Sequence, residues 1–187
     1  MKMVRFIFTL FFVSISLSAS AGPNYKKVLK KWTRSHHIYS PQNFNASLLW
    51  HATLLNTEMK QSQKNRTHQA YDVDGHSVHS ADLMIPGLDA SHTVFFVSFY
   101  SQERRFDDFL DSQKTWSLNL EWCGNFYQPK IEKLAKNPSP LVRLLYPYLD
   151  VWSKTYLVSF DIPPSSCTKE LTLHLSGPVA RSELTWK

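Results

Sequence analysis

Six side chains between His68 and Asp82 are of the types that hold metals or move protons: His68, Asp72, Asp74, His76, His79 and Asp82. Imidazole and carboxylate at short spacing suit zinc or another divalent ion. His76 and His79, with Asp74 as a third ligand, are the candidate metal set, and the chemistry they would support is metal-dependent hydrolysis. The spacing is not His-Glu-x-x-His. Asp72-x-Asp74-Gly75 fits part of a calcium loop, but in that frame Ala70 stands where the first acidic ligand belongs and Ala81 where the bidentate glutamate belongs. The competing reading is a hydrophilic loop that happens to be rich in histidine.

His36-His37 is a second imidazole pair. Adjacent residues on an extended segment point to opposite faces, which predicts one packed and one solvated ring rather than one ion bound by both. Nucleophilic catalysis has no motif here: there is no Gly-x-Ser-x-Gly elbow and no glycine-rich phosphate loop. Carboxylates are numerous enough to pair as acid and base, but nothing in the sequence says which two meet. Trp116 and Trp122 alternate with polar residues as core side chains do, which favours a core role over stacking on a sugar.

Cys123 and Cys167 are the two cysteines. In an exported chain an even pair reads most simply as one disulfide, the alternative being two buried thiols. Closing a loop of roughly 45 residues stabilises by about 4 kcal/mol in the chain-entropy picture.

Export itself is read from the N-terminus. Lys2 and Arg5 precede an apolar stretch from Phe6 to Val13, extended by Ile15 and Leu17, and Ala19-x-Ala21 follows. That is a secretory signal peptide over residues 1–21, with cleavage expected between Ala21 and Gly22. The apolar stretch is too short to span a bilayer comfortably, so no stable transmembrane segment is expected after processing. No cysteine follows the cleavage site to carry a lipid. The short, lysine-led signal reads as bacterial, which sets aside the glycosylation patterns at Asn45 and Asn65.

The formal charge of the 187-residue chain is +6. Lys2 and Arg5 carry two of those charges, leaving +4 for residues 22–187. That is too mild for a polyanion-binding signature, and export argues further against nucleic acid. The densest basic stretch, Lys26, Lys27, Lys30, Lys31 and Arg34, reads as a solvated helix face, or otherwise as a contact for anionic lipid or polysaccharide. The composition is globular, 43% hydrophobic and 14% aromatic, and the length suits one domain over residues 22–187.

These side chains need elements to position them. Tyr25, Val28, Leu29 and Trp32 fall on one stripe of a helix over 24–34. Period-two alternation predicts strands at 45–54, 92–101, 115–122, 155–160, 170–175 and 180–186, with a shorter one at 81–85. Both faces of 92–101 are apolar, as in a central strand. Ser176-Gly177-Pro178-Val179 suits a tight hairpin turn. Residues 56–70 are polar, either a surface helix with Thr57 as cap or a long loop. Residues 104–110 read as one helical excursion. Pro129 is placed to open a helix over 129–136 that Pro138 and Pro140 stop. The fold expected is mainly β: a β-sandwich of six or seven antiparallel strands, with two or three short helices in the connections.

Lys31-Trp-Thr-Arg34, Ala52-Thr53, Tyr156-Leu-Val-Ser-Phe160 and the closing Leu184-Thr-Trp186 resemble scattered points of a group of uncharacterised bacterial envelope proteins. Many of these are lipoproteins with a Trp-Thr-Arg step soon after the lipid cysteine. The resemblance implies a place in the envelope, but no activity and no functional residues. The lipid cysteine is lacking here, so it does not imply membrane anchoring. The expectation is therefore a periplasmic or secreted protein, a non-catalytic binding or assembly module acting on another envelope component. No cofactor is expected unless a divalent metal occupies the His76 region, in which case the alternative is a metal-dependent hydrolase.

Overall fold

The computed structural model describes residues 24–41, 45–71, 93–110, 115–162 and 169–187. The expected leader, the strand at 81–85, the candidate metal set Asp74, His76 and His79, and Cys167 lie outside the described residues.

The first helix, α1 (Tyr25–Trp32), starts where Asn24 accepts a hydrogen bond from the Lys26 amide, and it buries Val28 and Leu29. It ends because Thr33 is already extended, and the chain runs straight into β1 (Thr33–Tyr39). The expected helix therefore stops short of Arg34, which sits on β1. A hairpin leads to β2 (Ala46–Leu54), then α2 (Thr57–Tyr71) and β3 (Thr93–Ser101). The polar stretch is thus a helix, capped by Asn56 rather than Thr57: its Oδ1 accepts from the Met59 amide at 2.9 Å. A single 3-10 turn, Arg104–Phe106, is all that forms of the helical excursion among its described residues.

The remaining elements are β4 (Ser117–Trp122), β5 (Asn125–Tyr127), β6 (Lys130–Lys133), α3 (Pro140–Leu145), β7 (Lys154–Phe160), β8 (Leu171–Ser176) and β9 (Arg181–Trp186). Two corrections to the sequence reading fall here. Residues 130–133 form an edge strand paired with β7, not a helix, because the cross-strand pairing captures Ile131 for the core between the sheets. Pro140 opens α3 instead of stopping a helix. It occupies the first turn, where its missing N–H costs nothing, and Ser139 accepts from the Val142 amide as cap.

All strand pairings among the described residues are antiparallel. One sheet has the order β1-β2-β3-β7-β6 and the other β5-β4-β8-β9. The fold is mainly β, as expected, with nine strands among the described residues. Those added to the expected set, β1, β5 and β6, are short or exposed and carry no clean alternation. The turn from β4 to β5 is made by Cys123 (φ 56) and Gly124 (φ 81), two left-handed residues of the kind a two-residue hairpin requires.

The inner faces of the two sheets meet in a core built around Leu48, Trp50, Phe95, Phe99, Leu120, Tyr156, Leu173 and Trp186. Each large side chain fully buried there contributes about 2–3 kcal/mol of transfer free energy. Trp116 and Trp122 belong to this core, as their alternation predicts. A second core lies on the other face of the five-stranded sheet. There Val28 and Leu29 of α1, Met59 of α2, and Leu141 and Leu145 of α3 cover Val94 and Phe96. Phe96 stacks on Tyr146 at 3.7 Å between ring centroids. The molecule is therefore three layers over part of its width: a polar-faced sheet, a five-stranded sheet and a cap of three helices.

Candidate functional site

The helix cap creates a concavity whose charged lining residues are all of one sign. α1, α2 and α3 do not close completely where their polar ends meet. A pocket of about 630 Å³ remains, bordered by Asn24, Tyr25 and Lys26 of the α1 end, Ser62, Asn65, Arg66 and Gln69 of α2, and Arg143 and Leu144 of α3 with Pro147 beyond it. Three cations from three different helices face it, and none of its described lining residues is a carboxylate. Ser62 is buried in its wall and Arg66 is half-buried. The Tyr25 hydroxyl donates to the Leu145 carbonyl. Burial raises its pKa well beyond the usual phenol range, against the pull of the neighbouring Arg66 charge. The pocket is thus neutral except for its positive charges, and it offers amide groups beside them.

Beside this pocket, α2 turns a face inward that is not an apolar stripe. Its buried face is Met59, Ser62, Gln63 and Thr67, a helical spacing of three and four occupied mostly by polar groups. Gln63 donates to the Tyr146 hydroxyl at 2.6 Å, while its carbonyl oxygen and the Thr67 hydroxyl are buried with no protein partner among the described residues. Burial holds the Tyr146 hydroxyl protonated at every ordinary pH. Hydrophobic periodicity is blind to such a face. Only the 3.6-residue recurrence of small and amide side chains marks it.

A second polar corner lies on the same side of the sheet. His36 and His37 point to opposite faces, as adjacent strand residues must. His36 Nδ1 meets Ser182 Oγ of the other sheet, and His37 Nε2 lies 3.2 Å from His51 Nε2 on β2. The packed-and-solvated split expected for them is not found. Both rings are largely exposed because β1 is an edge strand. The partner of His37 is His51, fourteen residues away, a pairing that only the β1–β2 register creates. The His51 ring stacks on Tyr148, with centroids 4.7 Å apart and planes 15° apart. Tyr148 in turn hydrogen-bonds Thr53 at 2.7 Å, and Thr53 bonds Thr33 at 2.8 Å. Burial, then the neighbouring His37, pushes the His51 pKa down to about 4, against the opposing charge of Asp150. His51 is therefore uncharged near neutral pH.

The other sequence candidates are placed as follows. Lys26, Lys27, Lys30 and Lys31 are exposed on α1, so most of the basic stretch is a solvated helix face. Lys31 pairs with Glu58 at 2.6 Å, and Lys26 is the member that borders the pocket. Arg34 is structural: its Nε donates to the Thr185 carbonyl of β9 at 2.9 Å and its guanidinium lies over the Trp186 ring. Cys123 is half-buried at the β4–β5 turn. Among the described residues no group of three His, Cys, Asp or Glu side chains is gathered as a metal set. No family model, no curated protein and no solved structure matches this chain.

Proposed function

We propose that this protein is an exported module of a bacterial envelope that binds a small anionic component of that envelope, without chemistry of its own, in the pocket between α1, α2 and α3. One observation carries the reading: Lys26, Arg66 and Arg143, each from a different helix, converge on one pocket whose described lining has no carboxylate. Guanidinium groups favour carboxylate and phosphate through paired N–H donors. The side chains of Asn65 and Gln69 add neutral donors and acceptors suited to the polar remainder of such a ligand. A volume of about 630 Å³ suits a headgroup or a small acidic sugar, within the usual size range of ligand pockets.

The placement in the envelope rests on the leader at 1–21 and the Ala19-x-Ala21 step before Gly22. Pairing of Cys123 with Cys167 is part of the same reading. Cys123 borders a surface depression together with Lys169 and Glu170, which follow Cys167 by two and three positions.

The test is a thermal-shift and NMR titration of the processed protein with phosphorylated and carboxylated monosaccharides. At least one probe is expected to shift resonances of Arg66 and Arg143, more weakly as salt rises, and the Arg66→Gln/Arg143→Gln variant is expected to lose the response. Binding that persists in that variant, or turnover of a probe that a point substitution abolishes, overturns the proposal.

A further inference from the structure

We propose that His37 and His51 form a two-imidazole site for a first-row divalent cation, Zn²⁺ or Cu²⁺, on the helix-bearing face of the five-stranded sheet. In the β1–β2 register His37 pairs with Leu49 and Ser35 with His51, so the two histidines are diagonal neighbours on one face. They approach each other through the same atom type, Nε2 to Nε2, at 3.2 Å. Metal–imidazole bonds of about 2.0–2.1 Å put two nitrogens about 3.3–3.4 Å apart on a tetrahedral ion and about 2.9 Å apart at a right angle. The observed separation lies between these values, so either geometry is reached by moving a ring a few tenths of an ångström.

Without metal, one ring donates its Nε2–H to the lone pair of the other. On binding, the donor ring shifts that proton to Nδ1, and both Nε2 lone pairs face the ion. No proton need leave the pair. One ligand is held in advance: His51 is clamped against Tyr148, whose hydroxyl is tied to Thr53. The other ligand is exposed, so the ion keeps open positions toward solvent. Asp150 does not complete the set. Its carboxylate already accepts from the Trp152 and Ser153 amides and from the Ser153 hydroxyl. Two protein ligands without a third give micromolar rather than structural affinity, and the open positions suit capture or exchange of the ion.

The experiment is calorimetric titration of the processed protein with ZnCl₂ at pH 7.5, paired with electron paramagnetic resonance of the Cu²⁺ form. Because the stretch from His68 to His79 has histidines of its own, His76→Ala/His79→Ala is titrated in parallel. One equivalent is expected to bind with micromolar affinity in both the parent and that variant. His37→Ala, a change at an exposed edge that removes a ligand itself, is expected to weaken binding by at least the roughly 10- to 100-fold that loss of a ligand's outer-shell partner costs. Nitrogen hyperfine coupling is expected to fall from two imidazoles to one, and circular dichroism to show the fold unchanged. Absence of saturable binding, binding indifferent to His37→Ala, or binding lost with His76 and His79 overturns the proposal.

Discussion

The indole N–H of Trp50 donates to Ser182 Oγ at 2.9 Å, joining the second strand of one sheet to the edge strand of the other. Both residues are buried, and the same hydroxyl also meets His36 Nδ1. One serine thereby satisfies the buried indole and links three strands. Ser182→Ala leaves that N–H without its acceptor, at an expected cost of about 1–3 kcal/mol. Urea unfolding at pH 7 checks this, and a midpoint shift with unchanged slope is the expected form. A cost near zero would mean that solvent reaches the indole and that this link does not hold the sheets.

Gly177, in the β8–β9 hairpin, packs its backbone directly on the six-membered ring of Trp116. A β-carbon there would collide with that ring, which is itself wedged against Phe99 and Phe109. The Trp116 N–H is fixed by the Phe106 carbonyl at 2.7 Å, so the indole cannot slide away freely. Gly177→Ala is therefore expected to lower stability by about 1–3 kcal/mol. Gly124 has open space around it but a φ of 81, so Gly124→Ala tests strain without collision. A neutral Gly177→Ala would show that Trp116 has room to move.

Asp108 governs acid stability around the 3-10 turn. Burial raises its pKa, but hydrogen bonds from Lys133, the Leu110 amide and Tyr156 outweigh that and hold it below the usual carboxylate value. A depressed carboxylate contributes stability that is present above its ordinary pKa of about 3.8 and is lost as pH falls through the folded value. Asp108→Asn is expected to lower stability at pH 7 by about 1–2 kcal/mol and to flatten its decline below pH 4. Parallel acid slopes in parent and variant would remove Asp108 from this role.

The proposed Cys123–Cys167 bridge has its own signature. Reduction of the processed protein is expected to lower stability by about 2–4 kcal/mol, and Cys167→Ala by a similar amount. The two effects are expected not to add. Two thiols titrated in denatured, unreduced protein would reject the bridge.

Strands whose own side chains alternate were legible without a structure. In β4 the inward positions are apolar and the outward ones polar, and β2 and β9 follow the same pattern except for Leu49 on the outward face of β2 and Ser182 on the inward face of β9, so the burial pattern is largely written in the residue types. The two edge strands of the five-stranded sheet, β1 and β6, escaped this reading. Most of β1 is exposed, and only Ile131 of β6 reaches the core between the sheets. Residues 129–136 also satisfy a helical template through Ile131, Leu134 and Ala135, and the competition was settled by pairing with β7. The candidate pocket stayed hidden for another reason. Its cations stand at positions 26, 66 and 143, and nothing local in the chain relates them.

What the sequence alone determined is the mainly β class, the strands with clean alternation and the tryptophan-rich interior, because these follow from side chains one or two residues apart. The tertiary structure decided which distant groups share a surface: His37 with His51 through strand register, and Lys26 with Arg66 and Arg143 through the seating of three helices. Periodicity encodes which way a side chain faces, whereas a site depends on which elements are neighbours. That is set by the summed packing of two cores and not by any one segment.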